Sequence, residues 1–454
     1  MKSVPQTIDG QKATHVRYSV LAMIFAVSTL NYASRATLSI AGPAAQKQLG
    51  FSALQLGYMF SGFGYTYVIA QIPSGWLLDR FGSKNVYALS ILAWSAFTFF
   101  QGFAGLFQAT VGFAALLALR LLLGLAEAPA FPGNGRIVAA WFPAAERATA
   151  SAVFNSSQYF ATFLFAPLSA WIVYQFGWPW VFFVTGGLGA VMAAVWMRTI
   201  YAPTSHPRVS ALELDFMKRG GALIDMERAL EDSREKPPGK RAPSGPPQWA
   251  AVGKLLRSRM LLGVYLGQFA INTITVFFAT WFPLYLVQER HMSILKAGFA
   301  ASLPALCGFA GGILGGLLSD GMLKRGYSLS TSRKAPIVAG MLLAMMMVVC
   351  NYVSTVWLVV LIMSLAFLGK GCGALGWAVV ADTSPKQVTG LSGGLFNMFG
   401  NLSTIVTPLV IGYLVDATKS YQSALLYVAA NAAVAIFAYI FVVGEIKRVE
   451  LPAL

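Results

Sequence analysis

The chain has 454 residues, of which 57% are hydrophobic and only 11% charged, a balance that excludes a water-soluble domain of this length and requires an integral membrane protein. The net charge of +16 does not indicate nucleic acid, because Lys and Arg concentrate in one alternating set of loops, as the positive-inside rule describes. Cys307, Cys350 and Cys372 all lie in apolar segments, so no disulfide framework or metal-ligand spacing is present, and no nucleophile and base pair or phosphate loop suggests an enzyme.

About twelve apolar segments of spanning length follow one another with short connections. Span 1, about 18 to 42, follows Lys2, Lys12 and Arg17 without a small-residue cleavage site and reads as a retained helix rather than a signal peptide. It contains Asn31-Tyr-Ala-Ser34-Arg35. Tyr32 and Arg35 share a face, and an arginine this deep suits a cavity better than an interfacial anchor. Span 2, about 54 to 78, carries Tyr67 and Gln71 one turn apart and ends in Gly75-Trp-Leu-Leu-Asp79-Arg80-Phe-Gly82-Ser-Lys84, a charged turn into span 3, about 85 to 104.

Span 4, about 110 to 140, contains Arg120-Leu-Leu-Leu-Gly-Leu-Ala-Glu127-Ala-Pro129-Ala-Phe-Pro132. Arg120 and Glu127 fall on one face, two turns apart, roughly 10 Å along the axis. A charge at mid-bilayer costs at least about 2.5 kcal/mol, so this face is expected to line a polar pathway; the alternative is a buried salt bridge that only joins helices. Pro129 and Pro132 free backbone carbonyls, which a spanning helix tolerates where neighbours or cavity water satisfy them. Span 5, about 147 to 174, places Asn155 and Gln158 one turn apart, and span 6 runs from about 179 to 200.

Residues 202 to about 258 break the pattern. Lys236-Pro-Pro-Gly-Lys-Arg-Ala-Pro-Ser-Gly-Pro-Pro247 reads as a flexible linker, with a short surface helix expected between Ser210 and Asp232. This loop divides the chain into residues 1–201 and 259–454, each with six spans. Spans 7 and 8, about 260 to 286 and 297 to 319, carry Gln268, Asn272 and Pro304. The next turn, Gly315-Gly-Leu-Leu-Ser-Asp320-Gly-Met-Leu-Lys324-Arg325, repeats the turn after span 2 and marks internal duplication. Span 9 covers about 335 to 353. Span 10, about 356 to 382, holds Lys370 near its middle among glycines that leave room for a neighbouring helix or a ligand; the alternatives are a pathway role, a pair with Asp382, or a reach to another helix's carbonyls. Span 11, about 388 to 414, carries Asn397 and Asn401, and span 12 runs from about 421 to 443. Basic residues favour the terminal side (Arg80, Lys84, Arg147, Lys324, Arg333, Lys334, Lys386), so both termini are expected to be cytoplasmic.

Two six-helix halves around a charged loop, with Gly75, Asp79, Arg80, Gly82 and Lys84 in one half and a degenerate copy in the other, resemble the major facilitator superfamily over the whole chain. The finer motifs, Tyr32-x-x-Arg35, Glu127-Ala-Pro-Ala-Phe-Pro132, Trp141-Phe-Pro143, Gln158 and Gly393-Gly-x-Phe-Asn397, resemble the anion:cation symporters, nearest the bacterial D-galactonate:proton symporters, whose relatives include glucarate, hexuronate, tartrate and phthalate permeases. The resemblance implies an all-α fold of twelve transmembrane helices in two bundles. It implies arginines at Arg35 and Arg120 for the substrate anion, a protonation site at Glu127 coupled to Arg120, and substrate contacts from Tyr32, Tyr67, Gln158, Trp377 and Asn397.

Two positions depart from that pattern. Ser34 stands where the family places a second titratable aspartate, and Lys370 adds a cation where the galactonate carriers look uncharged. Both changes make the cavity more positive and favour a substrate with more than one negative charge. The expected function is proton-coupled uptake of an organic carboxylate, a sugar acid or dicarboxylate, by alternating access at a bacterial inner membrane. The carrier is expected to be a monomer in the lipid bilayer without a cofactor, the proton being the coupling ion. Asp79, Arg80 and Asp320 are expected to latch the halves. The competing readings are an anion exchanger or uniporter, favoured by the lost aspartate, and a receptor that binds the anion without flux.

Overall fold

The computed structural model describes residues 7–8, 11–12, 14–143, 146–226, 249–384 and 389–449. The one strand pairing among them is a two-residue ladder, Thr7–Ile8 against Gln11–Lys12; the rest of the ordered structure is helical. The first half contains α1 (Val16–Leu49), α2 (Ala53–Phe81), α3 (Ser83–Gln101), α4 (Ala109–Glu127), α5 (Ala130–Trp141), α6 (Arg147–Phe176) and α7 (Trp178–Thr199). The connection carries α8 (Ala211–Arg219) and α9 (Trp249–Arg257). The second half contains α10 (Arg259–Thr280), α11 (Phe282–Gln288), α12 (Ile294–Lys324), α13 (Leu329–Met345), α14 (Val356–Gly371), α15 (Gly376–Thr383), α16 (Thr389–Thr418) and α17 (Gln422–Phe437). Eleven helical runs are long and apolar enough to cross a membrane. The 29-residue α2, packed between α4 and α16, supplies the twelfth.

Helix contacts follow from small residues. In lipid, apolar side chains gain little by leaving their surroundings, so helices associate where glycine and alanine let backbones approach. At Gly124 a Cβ would collide with the Phe63 carbonyl, which locks α4 onto α2. Thr66 adds a hydrogen bond from its hydroxyl to the Leu121 carbonyl at 2.6 Å. In the second half, Gly311 abuts the Leu368 carbonyl, Gly371 abuts that of Gly308, and Gly340 and Gly369 face each other, so α12, α13 and α14 touch backbone to backbone.

The halves meet along α2 against α16 and α6 against α12. Gly57 sits on the Pro408 carbonyl, Gly64 on Thr404, and Gly298 on Ala170. The Ser61 hydroxyl donates to the Ile405 carbonyl at 2.7 Å, and Gln288 Nε2 donates to Gln46 Oε1 at 2.7 Å. Residues 46, 57 and 288 lie toward the helix ends remote from both chain termini, so the bundle is closed at that far face.

The connection after α7 differs from the expected loop. Residues 202–226 pack onto the first half, burying Glu213, Met217, Ala222 and Ile224. Ser210 caps α8 by accepting from the Glu213 backbone N–H at 3.3 Å. The Glu213 carboxylate serves a different helix: it accepts from the Val16 N–H at 2.9 Å, the Arg17 N–H at 3.1 Å, the Thr14 hydroxyl at 2.7 Å and Arg17 Nη1 at 3.2 Å. A carboxylate at a helix start satisfies orphan N–H groups and opposes the helix dipole; here it arrives from about two hundred residues away in sequence. Arg17 also pairs with Glu146 at 3.2 Å. The Pro-rich segment 236–247 lies outside the described residues.

Glu213→Ala leaves two buried amides unmatched and Arg17 with only Glu146 as its ion-pair partner among the described residues, a change expected to cost about 3 kcal/mol. Thermal melting of purified protein should register a clear loss; an unchanged melting temperature would mean that α8 contributes nothing to holding α1.

Candidate functional site

The polar centre of the first half is built where two helices are anchored and a third is interrupted. Pro129 and Pro132 lack the N–H groups that would continue the α4 ladder, and the helix breaks after Glu127 before resuming as α5. The Ser90 hydroxyl from α3 satisfies the Ala126 carbonyl beside the break. Below it, Tyr87 donates to Asn134 at 2.9 Å and Asn134 donates to Ser28 at 2.9 Å, tying α3, α5 and α1 together.

Glu127 is fully buried at the break. Its Oε2 accepts from Arg35 Nε at 2.6 Å and its Oε1 from the Ser34 hydroxyl at 2.7 Å. Arg35 Nη2 donates to Asn31 Oδ1 at 3.0 Å. The Arg35 guanidinium also lies against three rings, 5.1 Å from the centroid of Tyr32 and 4.6 Å from those of Phe63 and Tyr67, a cationic group held on aromatic faces.

Arg120 is placed otherwise than its spacing from Glu127 suggests. It is 2% exposed, and its one hydrogen bond among the described residues is a long one, 3.4 Å from Nη1 to the Arg35 carbonyl. Its Nε and Nη2 have no partner among those residues. Glu127 therefore pairs with Arg35 rather than with Arg120, because α1 presents Ser34 and Arg35 together at the helix break. The hydrogen-bonded partner of Glu127 is thus Arg35, not the expected Arg120.

The structure thus gathers Tyr32, Arg35, Tyr67, Arg120 and Glu127 into one cluster. Lys370 sits across the seam, 8% exposed, with Nζ 3.4 Å from the Tyr159 hydroxyl. Asp382, its possible partner, pairs instead with Arg333 at 2.9 Å. Gln158 is half-buried on α6, Asn397 is half-buried on α16, and Trp377 packs edge-on against Phe396 with 47% of its surface exposed. None of these three side chains hydrogen-bonds to the Arg35 cluster among the described residues. Asp320 pairs with Arg333 at 3.5 Å, and Arg333 also binds Ser319 and Asp382, so this ion pair latches helices inside the second half, not one half to the other as expected. Arg80 lies over the rings of Trp76 and Phe81; the Asp79 side chain is outside the described residues. Sequence reasoning missed Tyr159 and Phe63, because an aromatic residue in an apolar run carries no polar signal, and it gave Ser34 no partner.

A family model described as Major Facilitator Superfamily matches residues 24–331. The chain belongs to that superfamily. It is 56% identical over 450 residues to a probable galactarate/D-glucarate transporter of Bacillus subtilis (strain 168), covering 99% of this chain and 97% of that one. It is 54% identical over 452 residues to a protein of the same description from Escherichia coli (strain K12), covering 99% of each. A D-galactonate transporter of Escherichia coli O6:H1 is 38% identical over 442 residues, covering 97% of this chain and 99% of that one. Among solved structures, a bacterial homolog to the human lysosomal transporter Spinster, in an inward-facing and occupied conformation, superposes with a TM-score of 0.72 at 14% identity, covering 95% and 97% of the two chains. A D-xylose-proton symporter does so at 0.67 and 14%, covering 94% and 98%. The chain is a multi-pass membrane protein of a transporter family, not an enzyme.

The pairing is testable by stability. Arg35→Gln strands a buried carboxylate and should cost about 3 kcal/mol or more, most of it recovered by adding Glu127→Gln. Arg120→Gln removes a buried cation that no carboxylate hydrogen-bonds among the described residues, so the ligand-free protein should melt no lower than the parent, and its coupling to Glu127→Gln should be weaker than that of Arg35→Gln. Stronger coupling to Glu127 from position 120 than from position 35 would reverse the assignment.

Proposed function

We propose that this protein imports a sugar-acid anion together with protons by alternating access, and that its substrates are six-carbon aldarates such as galactarate and D-glucarate. The observation that carries the reading is Arg120, a buried guanidinium with two nitrogens unpartnered among the described residues beside a carboxylate already matched by Arg35. A buried cation without partners is costly, and the deficit is removed by an anion that arrives, binds and leaves. The aldarate assignment rests on the names of the relatives that share more than half of this sequence.

In this reading the substrate carboxylate docks on Arg120. Tyr32 and Tyr67 frame the site through their contacts with Arg35, while Gln158, Trp377 and Asn397 meet the sugar hydroxyls as the halves close. A proton delivered to Glu127 neutralises the partner of Arg35 and releases a second guanidinium toward the anion. The halves then rock about the central site. With both termini in the cytoplasm, as the basic loops favour, the far face where Gly57 and Gly298 bring the halves together is the outer one. The carrier works as a monomer in the bacterial inner membrane. Ser34 supports a second reading, exchange or uniport, since only Glu127 remains to titrate where the symporters place two acids.

Reconstituted protein decides between them. An inward proton gradient should drive accumulation of galactarate, and Glu127→Gln should abolish that accumulation while leaving exchange of internal for external substrate intact. Accumulation that survives the substitution removes Glu127 as the proton site; parent protein that exchanges substrate but never accumulates it would establish the exchanger.

A further inference from the structure

The direction of the Lys370 side chain is set by its neighbours in sequence. Residues 369 and 371 project about 100° to either side of residue 370 on a helix. Gly369 is pressed onto Gly340 of α13, and Gly371 onto Gly308 and Gly312 of α12. With both flanks occupied by helix backbones, Lys370 is left facing the first half. There it meets Tyr159 of α6, whose ring lies 5.4 Å from Nζ and 6.3 Å from the rings of both Phe309 and Phe367. Gly308 makes this fit, since a Cβ there would lie 3.0 Å from Tyr159 and 2.6 Å from Phe367. Tyr159 is thus a side chain of one half seated between two helices of the other, with Lys370 on its hydroxyl.

Among the described residues Lys370 forms no ion pair, and its one hydrogen bond is a long one to an uncharged hydroxyl. Such a contact orients an ammonium group without neutralising it. Lys370 and Arg120 stand on corresponding helices, the fourth span of each half, and each precedes an interruption: the break after Glu127 and the 3-10 turn Cys372–Leu375. Counting Arg35, Arg120 and Lys370 against Glu127, the centre holds an excess of two positive charges.

We propose that Lys370 binds the second carboxylate of the substrate, so that a dicarboxylate spans the seam with one end on Arg120 in the first half and the other on Lys370 in the second, and that this subsite selects dianions over monoanions. Tyr159 is the positioning residue that holds the ammonium ready. The proposal rests on the sugar-acid reading above and adds the residue that distinguishes its charge class. Galactarate and D-galactonate form the clean probe pair, because they have the same number of carbons and differ at the terminal carbon, carboxylate in one and hydroxymethyl in the other.

The test is isothermal titration of purified protein with each sugar acid, on the parent, Lys370→Gln, Lys370→Arg and Arg120→Gln, with ligand-free melting recorded for each. The parent should prefer galactarate. Lys370→Gln should lower the ratio of galactarate to D-galactonate affinity at least tenfold, Lys370→Arg should retain most of it, and Arg120→Gln should weaken both ligands together. Should Lys370→Gln fold poorly, Lys370→Met, which fills the same buried space without polarity, replaces it. A ratio unchanged by removing the lysine, with Arg120→Gln still abolishing binding, overturns the second-carboxylate subsite and leaves the sugar-acid reading standing. Parent protein that binds neither probe overturns both.

Discussion

Everything in the first half is arranged around a carboxylate that water cannot reach. Glu127 is buried where α4 ends, and an ionised carboxylate there is tolerable only because Arg35 and Ser34 bring donors to both of its oxygens. That requirement sets the placement of α1, whose residues 31 to 35 supply the donors and the Asn31 oxygen that steadies Arg35. It also accounts for the aromatic wall of Tyr32, Phe63 and Tyr67, which holds the guanidinium on ring faces rather than in water. Serine at position 34 is consistent with this role. It donates a hydrogen bond to Glu127 without adding a second negative charge, so one acid and one arginine balance.

The consequence falls on Arg120. Glu127 is occupied from the α1 side, and Gly124 and Thr66 hold α4 against α2, so Arg120 is buried beside a neutralised pair with nothing among the described residues to neutralise it. A stable fold with no ligand to bind would replace such a residue with an apolar one. Its presence fits a carrier, whose empty site must be less satisfied than its loaded one so that the anion changes the balance between conformations. The same logic applies to Lys370, whose contact with Tyr159 is polar but carries no opposite charge.

The architecture was legible in the sequence because membrane helices announce themselves by length and polarity. The spans fall close to where expected. Arg120 and Glu127 stood out in the sequence as candidates, since a charge inside an apolar run costs too much to keep without a polar role. What the sequence did not disclose was who pairs with whom. Spacing along α4 suggested Arg120 with Glu127, but a neighbouring helix, α1, brings Arg35 and Ser34 onto the carboxylate and competes for it. Asp320 pairs within its own half for a similar reason: a duplicated motif signals equivalent position, while its partner Arg333 depends on how α12 meets α13. Glu213 has the spacing of a local cap for α8, yet it caps α1, because the first amides of α1 lie close enough to compete and Arg17 brings a charge.

The two halves therefore divide the work unequally. The first half contains the buried acid, its arginine and a second arginine with no carboxylate partner among the described residues; the second half holds one lysine, which reaches Tyr159 across the seam between two close-packed glycines. Rocking of rigid halves changes distances between them far more than distances within them. The Glu127 and Arg35 pair lies wholly in the first half and should survive the motion, so only protonation or substrate can open it. The Lys370 and Tyr159 contact crosses the seam, where rocking must remake or break it. A ligand with a charge at each end would experience both parts, the local exchange of partners in the first half and the changing reach of the second, and binding and movement would be linked through the length of the substrate itself.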